Sequence, residues 1–244
     1  MSPASPCLLA LETSTSCADV AIVDATGIVR ARRSAVAARH SANLLTLCAE
    51  ALDEAGVSVS SLAGVACGAG PGSFTGLRVG MAVAKGLAMP FDLPFFAIPS
   101  LQALALGLAQ QAPDAAWVVP CLDGGKGQIF GAYFRAVSGF QAPVQESETL
   151  ALDAVAFVAA APTTLASPIV AAGPGLTLLR KPPATWPVAW RDGGQATPTA
   201  LAVATLAWPR LLRGERDDLA TSVPSYGRLP DITTPKKSSG GPAS

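Results

Sequence analysis

The sequence predicts an α/β protein with two lobes, each a mixed β-sheet flanked by helices. Strand-like runs joined by tight turns open the chain, strands alternate with helices between about residues 41 and 110, and strands begin again after residue 115. Alternating strands and helices indicate a sheet covered by helices. With 244 residues, half of them hydrophobic, the chain can bury a core in each lobe.

Three strands are predicted at the amino terminus, and short turns join them. They cover Leu8–Glu12, Cys17–Val23 and Ile28–Arg33. Turns this short predict neighbouring antiparallel strands in a meander. The first turn, residues 13–16, is polar throughout.

Helices and strands alternate in the rest of the first half. The first helix is predicted to begin at Ser41, a favourable N-cap residue, and to end at Gly56. Its apolar residues, which include Leu44, Leu45 and Cys48, recur at helical spacing. The remaining elements are a strand over Ala63–Cys67, a helix over Thr75–Met89, a strand over Phe95–Ile98 and a helix over Ser100–Gln110.

The second half begins with two strands around a glycine-rich turn at Asp123–Gly127. The predicted elements are strands over Ala116–Leu122, Gln128–Arg135 and Ile169–Ala172, and a helix over Thr199–Arg213. Beyond residue 229 the chain is rich in Pro, Gly and Ser, which predicts disorder. We therefore expect a first lobe at 1–110, a second lobe at 111–229 and a disordered tail at 230–244.

Composition limits the function classes. Lys plus Arg equals Asp plus Glu, whereas a protein that held a nucleic acid alone would carry a basic stripe. The local basic excess at Arg30, Arg32, Arg33 and Arg39 is explained by a solvated strand face. Five widely spaced cysteines beside apolar runs indicate free thiols in a reducing compartment. Neither a signal peptide nor a membrane span is predicted, so we expect a cytoplasmic protein.

A glycine-rich run at residues 68–80, GAGPGSFTGLRVG, joins a predicted buried strand to a predicted helix. Backbone amides at a helix start bind anions, and glycines permit a close approach. Ser73, Thr75 and Gly76 are therefore candidate ligands for a phosphate or another anion. The run lacks the Gly-Lys-Ser/Thr of a Walker A loop, and its third glycine stands one place late for the dinucleotide fingerprint.

The helix after this run is apolar almost all round, which predicts burial on every side. Small residues recur every four positions, at Gly76, Gly80 and Ala84, and this spacing lets a second helix approach closely. One side can cover the chain's own sheet, and we expect another protein to cover the other side, with the helix at 41–55 beside it. The predicted partner interface comprises Leu44, Leu45, Cys48, Gly76, Val79, Gly80, Val83, Ala84 and Leu87.

Several segments of the chain resemble the TsaB (YeaZ-type) family of tRNA threonylcarbamoyladenosine biosynthesis. They are LLALETSTSCADVAI at Leu8–Ile22, HSANLL at His40–Leu45, GPGSFTGLR at Gly70–Arg78, KGL at Lys85–Leu87, IPSLQALA at Ile98–Ala105, the turn at Asp123 and PSYGR at Pro224–Arg228. The resemblance is close over about the first 135 residues and weak from there to about residue 223. It implies an actin-like ATPase fold with two ribonuclease-H-like lobes, the first binding a partner and the second degenerate.

The resemblance also implies an accessory, non-catalytic subunit. The family supports threonylcarbamoyl transfer to N6 of the adenosine beside the tRNA anticodon, and its catalytic subunit is the paralogue TsaD. A TsaE-like ATPase assists, and a separate enzyme makes the threonylcarbamoyl-adenylate donor. The implied assemblies are a heterodimer with TsaD through the first-lobe helices and a homodimer when TsaD is absent, with tRNA bound only through the complex.

Residual nucleotide chemistry is the alternative that the resemblance leaves open. Active relatives use an Asp on the first strand to orient a metal-bound water or phosphate; here Glu12 stands at that place, followed by Thr13 and Thr15. Asp123 resembles the start of a second phosphate loop, but Pro174 interrupts the glycine turn expected near the base, and proline lacks an amide donor. We expect no firmly bound cofactor, with ATP or ADP and Mg at the partner interface as the alternative. The alternative function is a stand-alone actin-like ATPase or kinase.

The histidine content argues against a metalloenzyme. The catalytic relative holds its metal with an HxxxH pair, and this chain has one histidine, His40. No other cluster has metal-ligand spacing. A capping or structural role is therefore predicted for His40, and a metalloprotease, the third alternative, lacks its ligands.

Overall fold

The computed structural model describes residues 5–36, 40–137, 141–180, 186 and 188–227, with the backbone alone at 36 and 40–43. The first half forms a five-stranded sheet and three helices. The strands are β1 (Cys7–Glu12), β2 (Cys17–Asp24), β3 (Val29–Val36), β4 (Gly64–Gly68) and β5 (Phe95–Ile98). The helices are α1 (His40–Ala55), α2 (Phe74–Ala88) and α3 (Ser100–Gln111).

The first sheet has the order β3-β2-β1-β4-β5. β1, β2 and β3 are antiparallel neighbours, and β1, β4 and β5 are parallel neighbours. Parallel neighbours end at the same edge of a sheet, so the turn after β1 lies beside the glycine run that follows β4. This edge is where the polar turn at 13–16 and the start of α2 meet.

The second half forms another sheet with the same plan. Its strands are β6 (Trp117–Gly125), β7 (Gln128–Gly131), β8 (Phe134–Arg135), β9 (Val144–Gln145), β10 (Leu150–Leu152), β11 (Ile169–Ala172) and β12 (Trp190–Asp192), with helices α4 (Ala154–Ala159) and α5 (Leu176–Leu179). The main path runs β10-β7-β6-β11-β12; off this path, β8 pairs with β6 and β9 pairs with β8. Antiparallel and parallel pairs recur in the same order as in the first sheet.

The last helix, α6 (Ala200–Leu212), belongs to the second half but packs against the first sheet. Its apolar residues share a core with Leu8, Ala10 and Phe96. The amide of Ala200 donates to Oδ2 of Asp19 at 2.8 Å, which fixes the start of α6 on β2. Helix α3 contributes one face to this core and another to the core of the second sheet, so the lobes share their helices.

The elements predicted for the first half are confirmed to within three residues at each end. The first helix begins at His40, one residue before the predicted N-cap. The strand predicted over 128–135 is confirmed with one interruption: β7 and β8 pair with β6 in a single antiparallel register, and residues 132–133 between them are not part of a strand. The predicted tail at 230–244 lies outside the described residues, and the domain division at 110 stays a prediction.

Among the described helices, none is long and apolar enough to cross a membrane.

Candidate functional site

The glycine run packs against the turn that follows β1. The hydroxyl of Thr13 donates to the carbonyl of Gly76 at 2.8 Å, and the amide of Ser73 donates to the carbonyl of Ser14 at 2.7 Å. A Cβ atom at Gly76 would collide with the Thr13 carbonyl, and one at Gly80 would collide with the Thr13 hydroxyl. These glycines are therefore required by a close approach within the chain, and the prediction that they admit a second helix is corrected.

The start of α2 already uses part of its anion-binding capacity. The Ser73 hydroxyl accepts from the Gly76 amide at 3.2 Å, as an N-cap side chain does. Gly76 is buried, Ser73 is half-buried and Thr75 is exposed. An anion site at Ser73–Gly76 stays a prediction, with the Gly76 amide engaged by the chain itself.

Glu12 lies at the end of β1 and is 1% exposed. Its Oε1 accepts from the Ser14 amide at 2.7 Å, and its Oε2 accepts from the Ser100 hydroxyl at 3.0 Å. Gly68 lies against the carboxyl group so closely that a Cβ atom there would overlap it. Burial raises the pKa of the Glu12 carboxyl, and these hydrogen bonds oppose the rise. The carboxyl group is therefore sealed in the sheet edge and does not face the space between the lobes.

A cleft of about 430 Å³ opens between the two lobes beside this edge. It is lined by Ser14, Thr15, Ser16, Ser73, Leu122, Asp123 and Pro174. The structure thus brings the predicted residues Thr15, Ser73 and Asp123 together, whereas Thr13 is buried under α2. The lining carries one carboxylate and no Lys or Arg, and Oδ1 of Asp123 accepts from the Gly125 amide at 2.8 Å.

This lining does not fit a firm nucleotide site. Nucleotide phosphates are held by cations, by metal ions and by free backbone amides, and the cleft lining supplies hydroxyl groups and one carboxylate. Among the described residues, no group of three or more His, Cys, Asp and Glu residues could hold a metal ion. Of His40 only the backbone is described, so its predicted role stays a prediction.

The predicted basic excess on β3 is paired with carboxylates. Arg30 binds Asp24 at 2.6 Å, and Arg32 binds both oxygens of Asp19 at 3.0 Å. Arg33 binds carboxylates on α1, namely those of Glu50 and Glu54. Arg39 lies outside the described residues. These pairs agree with the predicted solvated strand face and leave little free charge there for a nucleic acid.

The predicted partner interface divides into buried and accessible residues. Leu44, Cys48 and Ala84 are buried in the core of the first lobe, and Gly76 and Gly80 are buried against Thr13. They are corrected to residues of the chain's own packing, because the helix turns them towards the sheet. The accessible members are Leu45, which is 57% exposed, and the half-buried residues Val79, Val83 and Leu87.

The exposed face of α2 carries a different set of residues, which we call the α2 stripe. It consists of Phe74, Thr75, Arg78, Ala82, Gly86 and Met89. A Cβ atom at Gly86 would meet nothing within 4 Å, so the fold of this chain does not require a glycine there. Of these residues only Thr75 is among the site residues predicted from the sequence. The spacing from Thr75 through Arg78, Ala82 and Gly86 to Met89 marks one helix face and is the signal that could have revealed the stripe.

The segment after α6, residues 213–227, returns across the first lobe and ends on the glycine run; we call it the C-terminal segment. The Lys85 ammonium donates to the carbonyl of Ser222 at 2.6 Å, and the Ser225 amide donates to the carbonyl of Ala69 at 2.7 Å. Tyr226 follows and lies against the start of α2. The family-like residues near 224–227 therefore meet the glycine run in space, although they stand far from it in sequence.

Two sheets with one strand order, joined by shared helices around a cleft, define a two-lobed protein of the actin-like ATPase fold. A family model described as "TsaD: tRNA N6-adenosine threonylcarbamoyltransferase" matches residues 30–178. The chain belongs to this family.

Some of the curated relatives that the chain matches carry the TsaB name, and others are named tRNA N6-adenosine threonylcarbamoyltransferase. The tRNA threonylcarbamoyladenosine biosynthesis protein TsaB of Escherichia coli K12 is 31% identical over 128 residues, which cover 52% of this chain and 54% of that protein. The protein of the same name from Haemophilus influenzae is 36% identical over 127 residues, or 50% of this chain and 51% of that protein. The chain thus spans about half the length of these curated relatives.

A solved structure from Pseudomonas aeruginosa, described as an uncharacterized protein with similarity to peptidase YEAZ, matches more of the chain. Its TM-score is 0.78 at 26% identity, covering 91% of this chain and 100% of that chain. Together with the curated relatives, this match confirms the resemblance to the TsaB (YeaZ-type) family.

Proposed function

We propose that this chain is an accessory, non-catalytic subunit. It pairs with a TsaD-like transferase and supports threonylcarbamoyl transfer to N6 of the adenosine adjacent to the tRNA anticodon. The observation that carries the proposal is the α2 stripe, a helix face on which apolar and small residues surround Arg78 and which the chain's own sheet does not cover. It begins within the glycine run of a chain whose relatives are named for this modification.

The composition of the α2 stripe supports a helical partner. Ala82 and Gly86 are small and exposed, so another helix can approach the backbone of α2 closely there. Phe74 is 51% exposed and Met89 is 65% exposed, and large apolar side chains flanking a small-residue centre favour burial by a partner. Leu45 on α1, 57% exposed, adds apolar surface on the neighbouring helix.

The sealed Glu12 supports the non-catalytic part of the proposal. A carboxyl group that is 1% exposed and hydrogen-bonded inside the sheet edge does not contact a substrate in the cleft. General acid–base chemistry requires the group to lie within hydrogen-bond reach of the reacting atom. The cleft lining adds no cation that would stabilise a phosphoryl group in transfer. No feature favours the stand-alone ATPase or kinase over the accessory role.

The remaining assignments extend the same proposal. The chain forms a homodimer through the α2 stripe when the transferase is absent, works with a TsaE-like ATPase, and meets tRNA only within the complex, in the cytoplasm. It binds no cofactor firmly by itself. ATP or ADP with Mg is accommodated only where a partner supplies the cations that the cleft lining lacks.

Co-purification with the host's TsaD-like protein, followed by tRNA modification assayed with and without this chain, tests the proposal. We expect a stable complex and a requirement for this chain. Ala82→Glu should weaken pairing by at least about tenfold, because its longer side chain would keep a partner helix away from the backbone of α2 and its carboxylate would compete for Arg78, one turn earlier on the same face. Ala159→Glu is the matched control, since Ala159 is also an exposed helical alanine, on α4 of the other lobe; it should leave pairing unchanged.

Two outcomes would contradict the proposal. If no complex forms and modification proceeds without this chain, the family resemblance extends to the fold and not to this role. If the complex forms but Ala82→Glu and Ala159→Glu behave alike, the α2 stripe is not the contact surface.

A further inference from the structure

Arg78 differs from every other arginine that the structure describes. The others each form an ion pair with a carboxylate: Arg30, Arg32, Arg33, Arg135, Arg180, Arg191, Arg210, Arg213 and Arg216. No described carboxylate lies within ion-pair distance of Arg78, although its side chain is exposed in the middle of the α2 stripe. Within the part of the chain that the structure describes, this guanidinium group therefore has no counter-charge, and it lies on the face that we propose for a partner.

Two aromatic rings hold this guanidinium group in place. Its central carbon lies 3.8 Å from the centre of the Phe74 ring and 5.5 Å from the centre of the Tyr226 ring. The two rings are 4.7 Å apart, and Nε of Arg78 donates to the Tyr226 hydroxyl at 2.8 Å. The Nε donor is thus used for positioning, and no described residue accepts a hydrogen bond from the terminal nitrogens, whose N–H groups form the fork that binds planar anions.

The surroundings of Arg78 distinguish between a carboxylate and a phosphate. A phosphate group carries up to two charges and is commonly held by several cations or by free helix amides. Here the Gly76 amide is engaged by Ser73, and the Lys85 ammonium, two turns along α2, is engaged by the carbonyl of Ser222. One guanidinium beside two adjacent rings matches a single planar carboxylate in charge and shape.

We propose that Arg78 is an anchor residue that binds an Asp or Glu carboxylate on the surface of a protein partner, with Phe74 packing beside the contact. Aromatic and arginine side chains dominate the binding energy of protein interfaces, and a pre-positioned side chain loses less entropy on binding. Tyr226, contributed by the C-terminal segment, is a positioning residue: it orients the guanidinium group. The identity of the partner rests on the proposed function; the chemistry of the contact does not.

The test measures the dissociation constant of the full chain with the host's TsaD-like protein at low and moderate salt. Arg78→Ala should raise the constant by about 30-fold or more, as expected for an anchor residue. Arg78→Lys should recover only part of the affinity, because an ammonium group is a point charge without a fork. Tyr226→Phe keeps the ring but removes the hydroxyl acceptor and should weaken binding by about threefold.

Arg216→Ala is the matched control, since Arg216 is exposed but paired with Asp92 at 3.2 Å; it should leave the dissociation constant unchanged. The salt dependence of binding should fall in Arg78→Ala, because a charge pair across the interface is lost. Thermal unfolding of each variant verifies that the fold is intact.

The outcomes separate this proposal from the proposed function. If the wild-type chain does not bind the transferase, the proposed function fails, and the Arg78 contact is then tested on the homodimer by the same variants. If the wild type binds the transferase and Arg78→Ala has the same dissociation constant as Arg216→Ala, the anchor proposal is overturned and the proposed function stands. If Arg78→Ala weakens binding only when ATP or tRNA is present, the ligand of Arg78 is a phosphate and the carboxylate proposal is overturned.

Discussion

At the scale of single residues, the glycines of α2 divide into two kinds. Gly76 and Gly80 are needed because the backbone of α2 lies directly on Thr13, and no side chain fits between them. Gly86 occupies open space on the opposite side of the helix. Three glycines in one helix therefore serve two surfaces, one internal and one external.

Alanine substitutions should separate these two kinds of glycine. Gly80→Ala should lower the free energy of unfolding by about 1–3 kcal/mol, because its Cβ atom collides with the Thr13 hydroxyl. Gly86→Ala should raise it by about 0.5–1 kcal/mol, because alanine has the higher helix propensity and meets no neighbour. Urea denaturation of both variants measures the difference, and equal effects would contradict the packing described for α2.

Glu12 should give the protein a characteristic dependence on pH. Burial raises its pKa above the ordinary value of 4.5, so the native state keeps this proton to a higher pH than the unfolded chain does. Between pH 4.5 and the raised pKa, the native state therefore binds more protons than the unfolded chain does. The contribution of Glu12 to stability falls as the pH rises through this range.

The variant Glu12→Gln has no charge to bury and isolates this effect. We expect the stability of the wild type relative to Glu12→Gln to decrease between about pH 5 and about pH 7.5. Urea denaturation at both values measures it. Paired acids such as Asp217, whose pKa is lowered, contribute equally to both proteins and cancel in the comparison. If the free energies of unfolding of the wild type and of Glu12→Gln change with pH in parallel, Glu12 is not held in a desolvated site.

At the scale of elements, the C-terminal segment is fastened to the first lobe by a carboxylate. Asp217 binds two nitrogens of Arg210 at 2.7 and 3.0 Å, accepts from the Ala97 amide at 2.8 Å, and donates its own amide to the Phe95 carbonyl at 2.8 Å. These contacts join α6, β5 and the C-terminal segment. They also determine where the later residues of the segment, including Tyr226, reach α2.

Removing this carboxylate should loosen the segment. Asp217→Asn should destabilise the protein by about 1–3 kcal/mol, because the two-point contact with Arg210 is lost. Asp92→Asn breaks the exposed pair with Arg216 and should change stability by less than about 0.5 kcal/mol. Thermal unfolding of the two variants compares them directly. If Asp92→Asn costs as much as Asp217→Asn, the segment is not held by its half-buried pair.

At the scale of the whole molecule, each of the two sheets is covered in part by a helix from the other half of the chain. The apolar face of the first sheet that includes Leu8, Ala66 and Phe96 is covered by α6, which comes from the second half. A boundary drawn at residue 110 therefore separates the sheets in sequence but not their cores. The lobes are expected to unfold together, because neither buries its apolar surface alone.

A fragment that ends at residue 112 tests this dependence. Without α6, the buried residues Leu8, Ala10, Ala66 and Phe96 would be exposed to water. We expect the fragment to bind a hydrophobic dye and to unfold without a cooperative transition. The full chain should not bind the dye and should unfold in one cooperative transition. A well-dispersed NMR spectrum and a sharp unfolding transition of the fragment would refute the prediction.

Much of the fold could be predicted from local patterns. The meander β1–β3 and the helices α1 to α3 follow from apolar periodicity and from turn residues, which act over a few neighbouring positions. The short elements of the second half, such as β10 and β12, have three residues each and offer too little periodicity to be detected. Their strands form because neighbouring strands pair with them, not because of local propensity.

The sequence by itself determined the α/β class, the order of elements in the first half and the family motif at the glycine run. It could not decide which side of α2 faces outwards, because small residues are equally suited to contact with the chain's own turn and with another protein. That choice depends on Thr13 and Ser14, which the parallel pairing of β1 with β4 brings beneath α2. The cluster of Arg78 and Tyr226 likewise arises only in the folded chain, because the two residues are 148 positions apart.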